Sequence, residues 1–561
     1  MHWPHRLIPG GAGTSRAAGS LPDFRRGTVP VRVVVDLTRC QGYGQCVFAA
    51  PDVFTMNGAE ALMYDPHPDD AQREHVLRAA AACPVQALVV DEMSGLGRPR
   101  PAPDGRRPHE RVGHIVVVGA SLAGLRAAAT LRREGYTGSL TLIGDEWSQP
   151  YDRPPLSKQV LSMRTPAEHT IFPQADGLDA EWLRGTPASG LDLADRQVRL
   201  ADGRRIGFDR LLIATGVRAR QWPNTAEAAL DGVFVLRTRE DADMLRQRLA
   251  EHPRVLVIGA GFTGSEIASA CRELGLQVTV VERGPAPLVG ALGAVIGAVA
   301  AQMQREHGVD LRCDTTVTAL EGDAQGRLRR ARLSDGDVLD VEVAVAALGA
   351  ERNVEWLRGS GLAAGVWGVS CDAGCRAVDV NGMVSDDVFV AGDVARFPHP
   401  VYGYQFLALE HWGNAVNQAQ VAAHNMISAP TERRPHLSLP VFWSVQFGTN
   451  IKSVGVPTFA DEVAVVQGSV ADRRFVAAYG HRGRVTAAVT FDQGMSLEFY
   501  QGLIERAAPF PPDFAMADRP AELQVLPAEM PARISAMQDT TVVVTGHNPD
   551  ERRAVLVERN G

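Results

Sequence analysis

Val255-Leu256-Val257-Ile258-Gly259-Ala260-Gly261-Phe262-Thr263-Gly264-Ser265-Glu266 decides the fold. The four apolar residues, closed by glycine, read as a strand. Gly259, Gly261 and Gly264 then supply a tight turn, close backbone approach to a pyrophosphate, and close helix–strand packing. Residues 267–274 continue as a helix, whose N-terminus offers unpaired N–H groups and a positive dipole end to phosphate. The following strand, residues 277–281, ends at Glu282. An acid there accepts from ribose hydroxyls and repels a 2′-phosphate, which favours NADH. Arg283 beside it is a residue type that can receive that phosphate, so NADPH stays open. Glu266 reads most simply as an acid satisfying the start of a helix.

A second unit of the same kind lies upstream. Ile115-Val116-Val117-Val118 precedes Gly119-Ala120-Ser121-Leu122-Ala123-Gly124 and a helix to about residue 134. Ser121 stands where the middle glycine would be, and its Cβ narrows the approach to a pyrophosphate. Residues 141–146 read as the next strand, ending in the acid Glu146. Two Rossmann-like units in one chain define an α/β protein.

The third signal is cysteine. Cys40-Gln41-Gly42-Tyr43-Gly44-Gln45-Cys46 has the spacing of a bacterial iron–sulfur run, with Tyr43 at the middle cysteine position, and Cys83-Pro84 supplies a remote ligand. Three thiolates, Cys40, Cys46 and Cys83, suit a [3Fe-4S] cluster most simply; a [4Fe-4S] cluster with a non-cysteine ligand is second, and three structural cysteines are the plain alternative. The loop glycines let the chain wrap tightly and aim N–H groups at the sulfurs. Zinc fits less well, since the C-x2-C spacing is missing. Cys271, Cys313, Cys371 and Cys375 read as packing residues, with no redox C-x-x-C pair among them.

These motifs carry two resemblances. Residues 36–46, then Ala50-Pro51-Asp52-Val53-Phe54, then Cys83-Pro84, resemble the small ferredoxins that feed bacterial cytochromes P450. Tyr151-Asp152-Arg153-Pro154-Pro155-Leu156-Ser157-Lys158, Ala214-Thr215-Gly216 and Val390-Ala391-Gly392-Asp393 resemble the FAD-binding segments of NADH-dependent ferredoxin reductases of oxygenase systems. That resemblance implies FAD as cofactor, with Arg153, Lys158 and Trp412 near the flavin and Asp393 on the ribityl chain. It also implies a Lys158–Glu266 pair beside flavin and nicotinamide, and a second nucleotide-facing turn at Gly349. The family's usual proline before Asn353 is Arg352 here, and its usual aspartate near Trp443 is Val445. Electrons would pass from NADH through FAD to the cluster and on to a cytochrome P450 or related oxygenase.

The expected division is a leader (1–30), a ferredoxin module (31–92), a linker (93–112), an FAD domain in two pieces (113–230 and 366–430), an NAD domain (231–365), a C-terminal α+β domain (431–510) and an extension (511–561). The net charge of −8 argues against general nucleic-acid affinity. No stretch is long and apolar enough to read as a membrane span or an export signal, which points to a cytoplasmic protein. Only two lysines occur, Lys158 and Lys452, among 57 basic residues, so each calls for a reason. Two other readings share the motifs: an NADH oxidase or disulfide reductase with a redox-sensing cluster, and a non-enzymatic flavoprotein of the apoptosis-inducing-factor type. The missing dithiol and the fused ferredoxin, respectively, argue against them.

Overall fold

The structure, a computed structural model, describes residues 31–90, 112–172 and 177–514, apart from 59 and 86, with parts of 518–558. The expected leader, and the expected linker up to residue 111, lie outside the described residues.

Val255–Ile258 forms a strand with all four residues buried. It is flanked in parallel by Val278–Val281 and Val343–Ala346, at the centre of a five-stranded sheet. Burial on both faces is why the run is continuously apolar. The helix is Phe262–Glu273, starting earlier than residue 267 because the turn closes within Gly259-Ala260-Gly261. Gly259 has φ 101°, and a Cβ on it would lie 2.5 Å from the Ala347 carbonyl oxygen. A Cβ on Gly264 would lie 2.0 Å from the Gly259 oxygen, whereas one on Gly261 would meet nothing within 4 Å. Two of the glycines are therefore packing requirements, and the middle one leaves open space for a ligand.

The upstream unit repeats the plan. His114–Val118 sits within a six-stranded sheet, between Arg210–Ile213 and Ser139–Ile143, both parallel to it. Val384–Val390 pairs with Arg210–Ile213, so a segment from beyond the other nucleotide unit completes this sheet. The strand expected over 141–146 ends at Ile143. A side chain at Gly144 would come within 2.8 Å of the Ala120 Cβ, so the chain turns away there and carries Glu146 into a loop.

An antiparallel sheet of Val441–Gln446, Thr449–Gly455, Arg484–Phe491, Arg474–His481 and Glu462–Ser469 follows. Val525–Pro527 adds its edge strand. Met537–Thr545 pairs instead with Gln405–Leu407. Part of the segment expected as an extension thus edges two sheets.

The cysteine module is a small α+β unit. Val33–Val35 pairs with Leu88–Val90, Phe54–Asn57 pairs with Ala61–Tyr64, and Arg73–Ala82 is helical. The loop expected over 40–46 gives way to a helix at Gln45–Ala49, so Cys46 stands in a helical first turn. Gly44, left-handed at φ 69°, provides the reversal into that helix. The module is seated on the remainder of the chain. Val34, Leu125 and Phe172 share one buried cluster, each worth about 1.5–3 kcal/mol of apolar burial. His67 stacks on His169 with ring centroids 4.9 Å apart.

Candidate active site

Lys158 and Glu266 come from the two nucleotide units and meet at a buried contact. The Lys158 Nζ lies 2.8 Å from Glu266 Oε2, with the side chains 10% and 7% exposed. Ser157 Oγ donates to Glu266 Oε2 at 2.5 Å, and Ser444 Oγ donates to Oε1 at 2.6 Å. Lys158 also donates to the Pro154 carbonyl at 3.2 Å. Glu266 is thus no free helix-start acid; its carboxylate joins the two nucleotide units to the C-terminal sheet. Desolvation of such a pair is offset only when the remaining polar atoms are also satisfied, which the two serines achieve.

This contact lines a cleft of about 1210 Å³ that also takes in Ser121, Arg153, Ala214, Gly216, Asp393 and Trp412. A second pocket, lined by Gly119, Ser121, Glu146, Arg153, Thr215 and Gly216, adjoins it. Arg153 binds Glu146, and Tyr151 donates to Glu146 Oε2 at 2.5 Å. Burial works to raise the Glu146 carboxyl, yet Arg153 and Tyr151 hold it below its ordinary value. Asp393 pairs with Arg237 at 3.1 Å. Trp412 Nε1 donates to Asp152 Oδ1 at 2.9 Å, and burial pushes the Asp152 carboxyl up to about 6. Burial also takes His411 down to about 4, so it is neutral at pH 7. His411 Nδ1 and Trp443 Nε1 are buried in this cleft without a hydrogen-bond partner. Open space at the helix starts, backbone N–H groups with no side-chain cap at Ser121 and Gly261, and these two orphaned polar atoms all fit dinucleotides.

An adjoining pocket is lined by Gly261, Phe262, Thr263, Gly264, Ala347 and Gly349, and shares Thr263, His411 and Glu410 with the cleft. Glu282, at the strand end, accepts from Ala260 N and Gly284 N, each at 2.7 Å. Arg283 is exposed. Arg352, at the position where the resemblance implies proline, pairs with Glu410 at 3.0 Å.

Cys40, Cys46 and Cys83 line one small pocket. Among the described residues, no three Cys, His, Asp or Glu side chains converge on a single-ion position. Three thiols facing one pocket are the donor type an iron–sulfur cluster takes. Ala87 N donates to Cys83 Sγ at 3.3 Å, and Gly42 and Val47 N–H groups face Cys40 and Cys46. Burial, then the neighbouring Cys40, pushes the Cys46 thiol up to about 11. The Tyr43 hydroxyl donates to Gln41 Oε1 at 2.9 Å and its ring is half exposed, while the residue borders the same pocket as the three cysteines. The four other cysteines are free; Cys271, Cys371 and Cys375 are buried, as packing residues are.

The module and the cleft touch. A Cβ on Gly413 would meet Thr38 Cγ2 at 3.1 Å. Gly413 follows Trp412, and Thr38 lies two residues before Cys40.

Two dinucleotide units facing one cleft, closed by a third domain, define a two-dinucleotide flavoprotein reductase. Residues 113–421 match the pyridine nucleotide-disulphide oxidoreductase family, and the chain belongs to it. Residues 441–526 match a reductase C-terminal domain and residues 33–90 a 4Fe-4S single cluster domain. Rhodocoxin reductase of Rhodococcus erythropolis is 36% identical, over 64% of this chain and 81% of that protein. Putidaredoxin reductase CamA of Pseudomonas putida is 30% identical, over 75% of this chain and 99% of that protein. Among solved structures, the covalent putidaredoxin reductase–putidaredoxin complex aligns with TM-score 0.66 and 29% identity, over 71% of this chain and 94% of that one.

Sequence reasoning missed Ser157, Ser444, Asp152 and Arg237. Ser157 and Asp152 lie inside the quoted 151–158 segment, and Ser444 is next to Val445, so local motif context was their only signal. Arg237 lies in no motif and had none. Lys452 did carry a signal, its rarity.

Proposed function

We propose that this chain is a fused ferredoxin and ferredoxin reductase that moves electrons from NADH to a cytochrome P450 or a related oxygenase. Residues 113–230 with 366–430 serve as the FAD domain, 231–365 as the NAD domain, and 31–92 as the ferredoxin, with a [3Fe-4S] cluster on Cys40, Cys46 and Cys83. When bound, FAD would supply two-electron and an iron–sulfur cluster one-electron redox chemistry. The residues supply position and field. Gly119 and Gly124 shape the FAD turn, and Gly259, Gly261 and Gly264 the NAD turn. Arg153, Glu146, Asp393 and Ala214 to Gly216 hold the FAD, while Glu282 accepts from the NADH ribose. Lys158 and Glu266 fix the two rings against each other, and Trp412 closes the cleft on the ferredoxin side.

The contact of Gly413 with Thr38 carries this reading. It links the wall of the cleft to the cysteine loop through a few covalent bonds and one van der Waals gap. A cluster on three cysteines is supported by Cys40, Cys46 and Cys83 sharing one pocket, with Tyr43 at the middle position of the run. The test compares the whole chain with one lacking residues 1–110. Both should reduce ferricyanide with NADH; only the whole chain should reduce cytochrome c rapidly. Equal cytochrome c rates would refute the relay.

A further inference from the structure

Lys158 has its role in the cleft; the other lysine, Lys452, stands elsewhere. It lies in Thr449–Gly455 of the C-terminal sheet and is buried, 4% exposed. Its ammonium donates to the Cys40 carbonyl oxygen, in a different domain. The carboxylates that face it, Asp36 and Glu60, also belong to the cysteine module. Glu60 is itself buried, accepts from Gly494 N at 2.7 Å, and packs its Cβ against the loop glycine Gly42. A Cβ on Gly494 would sit 3.0 Å from Glu60 Oε2 and 3.3 Å from Lys452 Cδ. Cys40, Gly42, Glu60, Gly494 and Lys452 therefore form one interlocked contact, to which the reductase side brings the buried Lys452 ammonium and the half-exposed Arg474, 4.0 Å from Glu60 Oε1.

A surface lysine would not need this placement. An ammonium carried into a dry interface is costly unless it meets acceptors, and here the acceptors belong to the loop that holds the cysteines. A positive charge in low dielectric beside an iron–sulfur centre favours its reduced, more negative state. We propose that Lys452 is a positioning residue that couples docking of the ferredoxin module to the reduction potential of its cluster. Docked, the cluster feels the ammonium and is the better acceptor from the flavin side; undocked, it loses that charge and becomes the stronger reductant. By linkage, reduction of the cluster tightens docking by the same factor by which docking raises its reduced-to-oxidised ratio. This rests on the cluster assignment made above.

The test uses the full chain with its cofactors bound. Lys452→Met keeps the stem and removes the charge; Lys452→Arg keeps the charge. Iron and sulfide are assayed first, and the cluster is then titrated against potential with an EPR readout. Lys452→Met should retain iron and sulfide and shift the ratio of reduced to oxidised cluster at least tenfold toward oxidised at fixed poise, about 59 mV for one electron. Lys452→Arg should stay close to wild type. Gly58→Ala presses a methyl onto the Gly448 carbonyl, 1.9 Å away; it loosens the seat without altering charge and should lower the potential likewise. Reduction should also slow hydrogen exchange over residues 36–46 in the wild type but not in Lys452→Met. An unchanged potential in cluster-bearing Lys452→Met, or in Gly58→Ala should the first variant lose its iron, overturns the coupling alone. Wild-type protein without iron and sulfide overturns the cluster assignment, and the coupling with it.

Discussion

Removing either member of the Lys158–Glu266 contact should have unequal consequences. Glu266→Gln removes the countercharge and leaves the buried Lys158 ammonium with neutral acceptors only, an amide oxygen in place of the carboxylate and, more weakly, the Pro154 carbonyl and the Ser157 hydroxyl at 3.2 and 3.5 Å. An uncompensated buried charge costs about 3–5 kcal/mol, and those two weak acceptors place the expected loss near 3. Lys158→Met leaves the carboxylate with two short donors, from Ser157 and Ser444. Hydrogen bonds to a charged group are worth about 1.5–3 kcal/mol each, so this loss should be smaller, about 2 kcal/mol. The double variant removes both charges and should be more stable than the sum of the singles by about 2 kcal/mol, within the coupling range of contacting residues. Urea unfolding followed by tryptophan fluorescence yields the three differences. Stopped-flow bleaching of the flavin by NADH supplies a second readout, expected to fall about 100-fold in either single variant as ring positioning loosens. Additive stabilities, or equal losses in the two singles, would show that the contact is not an energetic unit.

The two kinds of glycine in the NAD loop should separate. Gly264→Ala forces a Cβ 2.0 Å from the Gly259 oxygen and should unfold the loop, while Gly261→Ala, in open space, should fold and raise the Kd for NADH at least tenfold; calorimetry and thermal melts distinguish them. Tyr43→Cys places a fourth thiol at the missing position of the run, and iron and sulfide analysis with EPR should show four irons per chain replacing three. His411 titrates near 4 when folded against an ordinary 6.5, so the unfolded chain binds more protons between those values and stability rises with pH across that window. His411→Asn should flatten that rise, worth about 3 kcal/mol at most, in chemical unfolding at pH 4.5 and 6.5; an unchanged slope would refute the assignment.

The strands, glycine turns and cysteine spacing were legible because each is a local requirement. Gly259 at φ 101° and Gly264, where a Cβ would lie 2.0 Å from a backbone oxygen, call for glycine wherever the chain goes next. The Lys158–Glu266 contact was legible only through resemblance, since the 107 positions between its members carry no periodicity that joins them. Glu146 was expected at a strand end and stands in a loop, because the approach of Ala120 to Gly144 is a contact between segments. Residues beyond 510 carried no motif, yet Val525–Pro527 finds a sheet edge; edge pairing uses backbone groups, which any sequence possesses.

The sequence by itself determined the two nucleotide units, the spacing of the three cysteines and the rarity of lysine. Tertiary structure alone decided that Ser157 and Ser444 complete the Glu266 carboxylate, that Thr38 touches Gly413, and that Lys452 reaches across to Cys40. Local motifs are fixed by backbone sterics and short-range spacing, which a linear chain displays. The meeting of distant side chains depends on how whole domains bury their surfaces against one another, and no single stretch encodes that.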